Sequence, residues 1–237
     1  MLAHPVGLDQ TFWGGLSDAL ASHHTVVAVD LRGHGGSEDA ARPGQMAAYR
    51  DDLVTLIETL GLGPATLIGV SFGGMIAQTI ACDRPDLVAG LVLAACPGAM
   101  LEAARTAILQ RGVDAELGGM ASILEATLAR WFTPAAPAAL VDRVRGRLLA
   151  NAPTNWAAAW EAISGHNALP RLPAVRCPAL VIAGELDVAT PVEATRALAA
   201  AIPGSRHEVM NGAPHMLQLE CEARFAALVQ HFLRGTA

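Results

Sequence analysis

Apolar residues fall in two rhythms along this chain. Four short runs rich in valine, isoleucine and leucine occupy 25–29, Ala65–Val70, Val88–Ala94 and 179–183, and Arg206–Met210 is a weaker fifth. Runs this short and this continuous suit strands buried on both faces. Between them, 11–22, Met46–Leu60, 74–82, Val192–Ala201 and 217–233 read as helices. In Met46–Leu60 the residues Leu53, Leu56, Ile57 and Leu60 stand at i, i+3, i+4 and i+7, which makes one apolar stripe. Strands alternating with helices of this length predict an α/β chain with a mostly parallel sheet and helices on both faces.

The alternation stops after Cys96-Pro97-Gly98. From 100 to about 169 the pattern is helical, with no convincing strand. Pro134, Pro137 and Pro153 punctuate it, and it holds Trp131, Trp156 and Trp160. We expect a core of 1–98 and 170–237, with a helical cap of 99–169 inserted over the carboxyl edge of the sheet. Leu169-Pro170-Arg171-Leu172-Pro173 would be the return linker.

Composition narrows the chemistry. A chain of 237 residues, 52% hydrophobic and 16% charged, suits one large domain with a substantial core. The longest charge-free stretch, 59–82, is broken by Pro64 and by Gly61, Gly63, Gly69, Gly73 and Gly74. A spanning helix needs about 20 continuous apolar residues, so no membrane span is expected. MLAHPVGLDQ at the amino terminus lacks the basic start and apolar run of a signal peptide, so the expected location is cytoplasmic. A formal charge of −6 disfavours a nucleic-acid partner. All 16 basic residues are arginine. Without lysine there is no Schiff-base chemistry, no pyridoxal phosphate anchor and no G-x-x-x-x-G-K-[ST] phosphate loop. Cys82, Cys96, Cys177 and Cys221 form no C-x-x-C and are expected as buried thiols. The eight histidines include no H-E-x-x-H, so neither a metal nor a cofactor is expected.

One motif stands out in the most apolar region. Gly69-Val70-Ser71-Phe72-Gly73 fits G-x-S-x-G, between a strand and a helix as that motif requires. A turn that sharp strains the serine backbone and leaves no room for side chains two residues either side. It exposes the hydroxyl at the new helix's N-terminus, where unpaired N–H groups carry partial positive charge. A serine at its free pKa is a poor nucleophile and needs a histidine oriented by an acid. Asp187 follows a buried strand in Ala183-Gly184-Glu185-Leu186-Asp187, with Glu185 as a rival. His215, in Gly212-Ala213-Pro214-His215-Met216, sits on a loop before the last helix. His207 and His231 are rival bases, one within a strand and the other late in a helix.

Several motifs together resemble a known family. They are His4-Pro5-Val6-Gly7, Asp30-Leu31-Arg32-Gly33-His34-Gly35-Gly36-Ser37, Gly69-Val70-Ser71-Phe72-Gly73-Gly74, Gly184-Glu185-Leu186-Asp187 and Gly212-Ala213-Pro214-His215. Spread over essentially the whole chain in this order, they resemble the α/β-hydrolase fold. Gly7-Leu8-Asp9 before Trp13, Arg130-Trp131-Phe132-Thr133-Pro134, and 155–163 resemble the 3-oxoadipate enol-lactonases within that superfamily. The resemblance implies that Ser71 attacks a carbonyl carbon, that His215 takes its proton and then activates water, and that Asp187 holds the imidazole. It implies an oxyanion hole from the backbone N–H groups of Phe72 and Val6, with Gly7 as the alternative donor. His4 and His34 would be structural. Only three residues precede His4, so we expect a shortened fold at the N-terminus, with a short element there and no outer hairpin.

The helical lid should set the substrate. Trp131 and Trp156, with Trp160 beside them in sequence, are candidates for a pocket that takes a small apolar or ring-shaped acyl group. A carboxylate on an enol-lactone would call for an arginine, and Arg105, Arg111, Arg130, Arg143, Arg145 and Arg147 all lie in the insertion. The expected activity is opening of a small lactone or ester through an acyl-enzyme. A general esterase, a perhydrolase and a carbon–carbon bond hydrolase share the same residues. A non-catalytic binding protein on this scaffold is the alternative of a different kind.

Overall fold

The computed structural model describes residues 1–235. Six strands form one sheet: β1 (Leu2–Ala3), β2 (Ala28–Val29), β3 (Ala65–Val70), β4 (Val88–Ala94), β5 (Ala179–Gly184) and β6 (Arg206–Met210). Their order is β2-β1-β3-β4-β5-β6, and every neighbouring pair is parallel.

The unbroken apolar runs are explained by two cores, one on each face of the sheet. Ile68 and Val70 of β3, Val92 and Ala94 of β4, and Leu180 and Ile182 of β5 face one core. Leu67, Leu91, Leu93, Ala179 and Val181 face the other. Alternate side chains point to opposite faces, so a strand covered on both sides must be apolar at every position. The first face is covered by α1 (Gly14–Ala21) and α10 (Glu222–Arg234), through Leu16, Leu20, Phe225, Val229 and Phe232. The second is covered by α2 (Met46–Leu60), α3 (Phe72–Asp83) and α8 (Val192–Ala201). Residues Phe72 to Ala81 of α3 are all buried, as befits a helix enclosed on every side.

Several boundaries differ from the sequence reading. The expected strand 25–29 is paired only at Ala28 and Val29, because β1 offers only Leu2 and Ala3 as partners. The short element before His4 is present as β1, between β2 and β3. The expected helix 11–22 is a 3₁₀ turn, Gln10–Trp13, followed by α1. The helix after Ser71 starts at Phe72 rather than at 74. The expected helix 217–233 is two pieces, α9 (Leu217–Glu220) and α10, because Cys221 leaves helical geometry at φ −120, ψ 36. In α2 the buried stripe runs Tyr49, Leu53, Ile57, while Leu60 is exposed at the last turn.

Between β4 and β5 the chain makes a helical excursion without a named strand: α4 (Arg105–Gly118), α5 (Met120–Trp131), α6 (Ala138–Leu149) and α7 (Pro153–Ser164). A bridge between Ala99 and Asn167 closes its base. Core loops hold α7 down at several points. Asn155 Oδ1 accepts from Ala40 N–H at 2.9 Å, and Glu161 Oε2 accepts from Gly44 N–H at 2.6 Å. Arg42 pairs with Glu116 of α4 and Glu161 of α7. Among the described residues, no helix is long and apolar enough to cross a membrane.

Candidate active site

The turn between β3 and α3 has the predicted strain. Ser71 has φ 52 and ψ −113, a region rarely occupied by residues with a side chain. A Cβ at Gly69 would stand 2.4 Å from the carbonyl carbon of Gly73. One at Gly73 would stand 2.0 Å from the Ala3 carbonyl oxygen of β1. Neither position admits another residue without moving backbone. Ser71 N–H donates to Ala94 O of β4, and its carbonyl accepts from Met75 N–H in the first turn of α3. The bend is therefore held from both sides. Strain of this kind costs about 1–3 kcal/mol. A glycine at 71 escapes it, at the expense of a more mobile unfolded chain. We expect Ser71→Gly to melt roughly 2–4 °C above Ser71→Ala in paired thermal unfolding, for a net gain of about 1 kcal/mol. An alanine variant that melts as high would remove the strain argument.

Two loops at the carboxyl ends of β5 and β6 bring their side chains to Ser71. Ser71 Oγ–H donates to His215 Nε2 at 3.1 Å, and His215 Nδ1–H donates to Asp187 Oδ2 at 2.8 Å. The other carboxylate oxygen of Asp187 accepts from Ala189 and Thr190 N–H, each at 2.8 Å. The side chains of His215 and Asp187 are 4% and 0% exposed, so bulk water does not compete for these bonds. The loops approach closely because Gly184 ends β5: a Cβ there would sit 2.5 Å from the carbonyl oxygens of Ala213 and Pro214.

The rival residues are occupied elsewhere. Glu185 is exposed, and its Oε2 accepts from Gly212 N–H at 2.6 Å, bracing the base of the His215 loop. His207 pairs with Thr195 Oγ1 at 3.0 Å, and His231 is exposed on α10. His4 and His34 are buried beneath the turn. His4 Nδ1–H donates to Pro5 O and its Nε2 accepts from Leu31 N–H, while His34 Nδ1–H donates to Arg32 O. Burial pushes both imidazoles down, to about 3 and about 4. The Cys96 thiol is buried behind α3 and pushed up to about 12, which makes it a poor nucleophile. All four cysteines are free. Among the described residues, no three His, Cys, Asp or Glu side chains gather as a metal site.

Val6 lies buried in the loop after β1, and Phe72 opens α3, whose first N–H groups have no partner within the helix. The Val6 loop is braced: Gly7 O accepts from Asn151 Nδ2 at 2.8 Å, and Trp156 packs directly against Gly7.

A cavity of about 200 Å³ opens beside Ser71 and His215. Its walls include Met75 of α3, Leu101 and Ile163 of the excursion, and also Arg111 and Trp160. Trp131 and Trp156 line an adjacent cavity of about 330 Å³ rather than this one. Trp131 stands beside the site all the same, its ring 6.4 Å from that of His215 and its carbonyl accepting from Met216 N–H. Thr133 N–H donates to Glu220 of α9 at 3.0 Å. The Trp131-Phe132-Thr133 segment therefore anchors the excursion to the loop that carries His215. A larger cavity, about 450 Å³, opens at the other end of the sheet near Leu2 and Thr66 and contains none of these groups. Sequence reasoning named Arg111 only as one of six arginines. No local signal distinguishes it, because its position depends on how α4 packs against α7.

A family model described as the alpha/beta hydrolase fold matches residues 6–221. The chain is 27% identical to an (E)-2-((N-methylformamido)methylene)succinate hydrolase of Acinetobacter baylyi, over 100% of this chain and 90% of that one. It is 26% identical to 3-oxoadipate enol-lactonase 2 of the same organism, over 99% and 88%. The crystal structure of the enol-lactonase from Burkholderia xenovorans superposes with a TM-score of 0.92 at 29% identity, covering 98% of this chain and 90% of that one.

Proposed function

The chain belongs to the α/β-hydrolase family, and on that premise we propose that it is a serine hydrolase that opens a small lactone or carboxylic ester through an acyl-enzyme. The observation that carries this reading is the continuous hydrogen-bond path from Ser71 through His215 to Asp187, on a strained turn beside a cavity.

In this reading His215 Nε2 takes the Ser71 proton as Oγ attacks the carbonyl carbon. Asp187 keeps the imidazole in the tautomer that leaves Nε2 free to accept, and stabilises the imidazolium that forms. The N–H groups of Phe72 and Val6 receive the oxyanion, each contributing about 3 kcal/mol to the barrier reduction. His215 then returns the proton to the departing oxygen, which in a lactone stays tethered to the acyl group. Water then attacks the acyl carbon as His215 takes its proton, and collapse of the second tetrahedral adduct breaks the C–Oγ bond while His215 returns that proton to Ser71 Oγ, releasing the carboxylic acid and the free serine. The process needs neither metal nor cofactor. The enol-lactonase relatives support a 3-oxoadipate enol-lactone or a close analogue as substrate.

The apolar wall formed by Met75, Leu101 and Ile163 favours a second reading within the same chemistry, a general short-chain carboxylesterase. Covalent trapping tests the shared step. A fluorophosphonate should add one mass increment at Ser71, found by peptide mapping, and none in Ser71→Ala. An adduct elsewhere, or none in the wild type, ends both readings. Rates on an enol-lactone beside a panel of uncharged esters separate them: a hundredfold preference for the esters would set the lactonase aside.

A further inference from the structure

The turn that carries Val6 is shaped partly from outside the core. Leu8 N–H donates to Pro5 O at 3.3 Å, and Gly7 stands in the left-handed region at φ 79. His4 Nδ1–H donates to the same Pro5 oxygen at 2.8 Å. These two bonds hold the start of the turn. Its far end is held by the helical excursion, because the Gly7 carbonyl accepts from Asn151 Nδ2 at 2.8 Å. Asn151 is buried just past the end of α6. Its Oδ1 accepts from Arg147 Nη2 at 2.9 Å, and an arginine only donates, so Nδ2 is the atom left to face Gly7. Arg147 also forms an ion pair with Asp9 at 2.8 Å, and Arg143 Nη2 donates to Thr11 O at 2.7 Å. Residues 143, 147 and 151 are spaced by four, so one line along α6 and its end grips the segment from Gly7 to Thr11. There is no slack on that side: a Cβ at Gly7 would stand 2.7 Å from both Leu148 and Trp156.

We propose that Asn151 is a positioning residue for the oxyanion hole: by fixing the Gly7 carbonyl it sets the turn that aims the Val6 N–H at the reacting carbonyl oxygen. The inference rests on the reading of Ser71 as nucleophile and Val6 as a donor. It makes α6 part of the catalytic frame rather than only a cover over the cavity. Without Asn151, the Gly7 end of the turn keeps its packing but loses its hydrogen bond, and the donor peptide can tilt. A misplacement of about 1 Å costs about a hundredfold in rate, and outright loss of one oxyanion donor about 10²–10³-fold. A donor that is misaimed but present should fall at or below the first figure. The charge it meets develops in the transition state, so substrate binding should be spared.

Kinetics on a short-chain nitrophenyl ester, with a pair of ketone inhibitors of the same shape, test it. Asn151→Asp keeps the size of the side chain but offers Gly7 O no N–H. It and Asn151→Ala should each lower kcat about tenfold to a hundredfold. Acylation and deacylation both pass through an oxyanion, so KM should stay within about twofold. On a trifluoromethyl ketone, Ser71 Oγ bonds to the carbonyl carbon, the carbonyl π pair moves onto oxygen as an oxyanion, and His215 takes the serine proton. The matching methyl ketone binds without that step. In both variants the trifluoromethyl ketone should weaken by the factor lost from kcat/KM, while the methyl ketone binds as it does to the wild type. Unchanged kcat in both variants overturns the assignment. So does equal weakening of the two ketones, which is also what an unfolded variant would give. Ester hydrolysis that survives Ser71→Ala sinks the nucleophile reading, and this inference with it.

Discussion

On the proposed reading, replacing Ser71 by alanine is expected to lower kcat for a short-chain nitrophenyl ester by about 10⁴–10⁶-fold. The effect is that large because the three side chains act as one unit. Without the Oγ nucleophile, His215 has nothing to deprotonate but water, and Asp187 orients a base with no task. What should survive is the contribution of the two proposed backbone donors, Phe72 and Val6, and of substrate binding. Folding offers no competing explanation, since Ser71 makes its backbone bonds to Ala94 and Met75 through atoms that alanine also has. A near-ultraviolet circular dichroism spectrum matching that of the wild type would establish this. Equal rates for the two proteins would end the assignment as a serine hydrolase and leave a binding protein on this scaffold.

The second large effect is loss of stability in mild acid. His4, His34 and His166 are buried, and burial lowers their pKa values to about 3, 4 and 4. At pH 7 these imidazoles are neutral in the folded chain and mostly neutral in the unfolded one, so they contribute little pH dependence there. As the pH falls below about 6.5, the unfolded chain takes up three protons that the folded chain refuses, and stability drops. The loss continues until the folded values near 4 and 3 are reached. At pH 5 it amounts to about 2 kcal/mol for each histidine and roughly 6 kcal/mol together, comparable to the whole stability of many domains. His4 gives a structural reason for the refusal: its Nε2 accepts from Leu31 N–H, so a proton there would set two donors against each other. Urea unfolding at pH 7 and pH 5 measures the difference. A midpoint unchanged between the two would show that the imidazoles are not held neutral.

The candidate site was legible to an unusual degree because its signals are local. Ser71 announces itself through glycines that leave room for a sharp bend, and Asp187 and His215 each follow a strand within a few residues. The choice between Asp187 and Glu185 was less local. Both lie in the same loop, and only the fold shows Asp187 turned inward to two N–H groups and an imidazole while Glu185 braces Gly212 at the surface. The surroundings of the cavity were not legible at all. Trp131, Trp156 and Trp160 look alike in sequence, yet one stands beside His215, one packs on Gly7 and one divides two cavities. Element ends were misread where a partner sets them. The register pairs of β2 with β1 stop at Leu2 opposite Ala28, so of the expected residues 25–27 only Val27 touches β1, through its carbonyl, which accepts from Leu2 N–H, and Leu60 continues an apolar period past the edge of the core.

By itself the sequence determined the layered parallel sheet, the strained serine turn and the order in which an acid and a histidine follow it. Those depend on periodicity and on steric rules that act over a few residues. Only the tertiary structure decided which arginine and which indole line the cavity beside Ser71, and how the helical excursion is tied to the loop of His215. Each of those depends on contacts between residues far apart in the chain, and packing distances of that kind have no counterpart in local pattern.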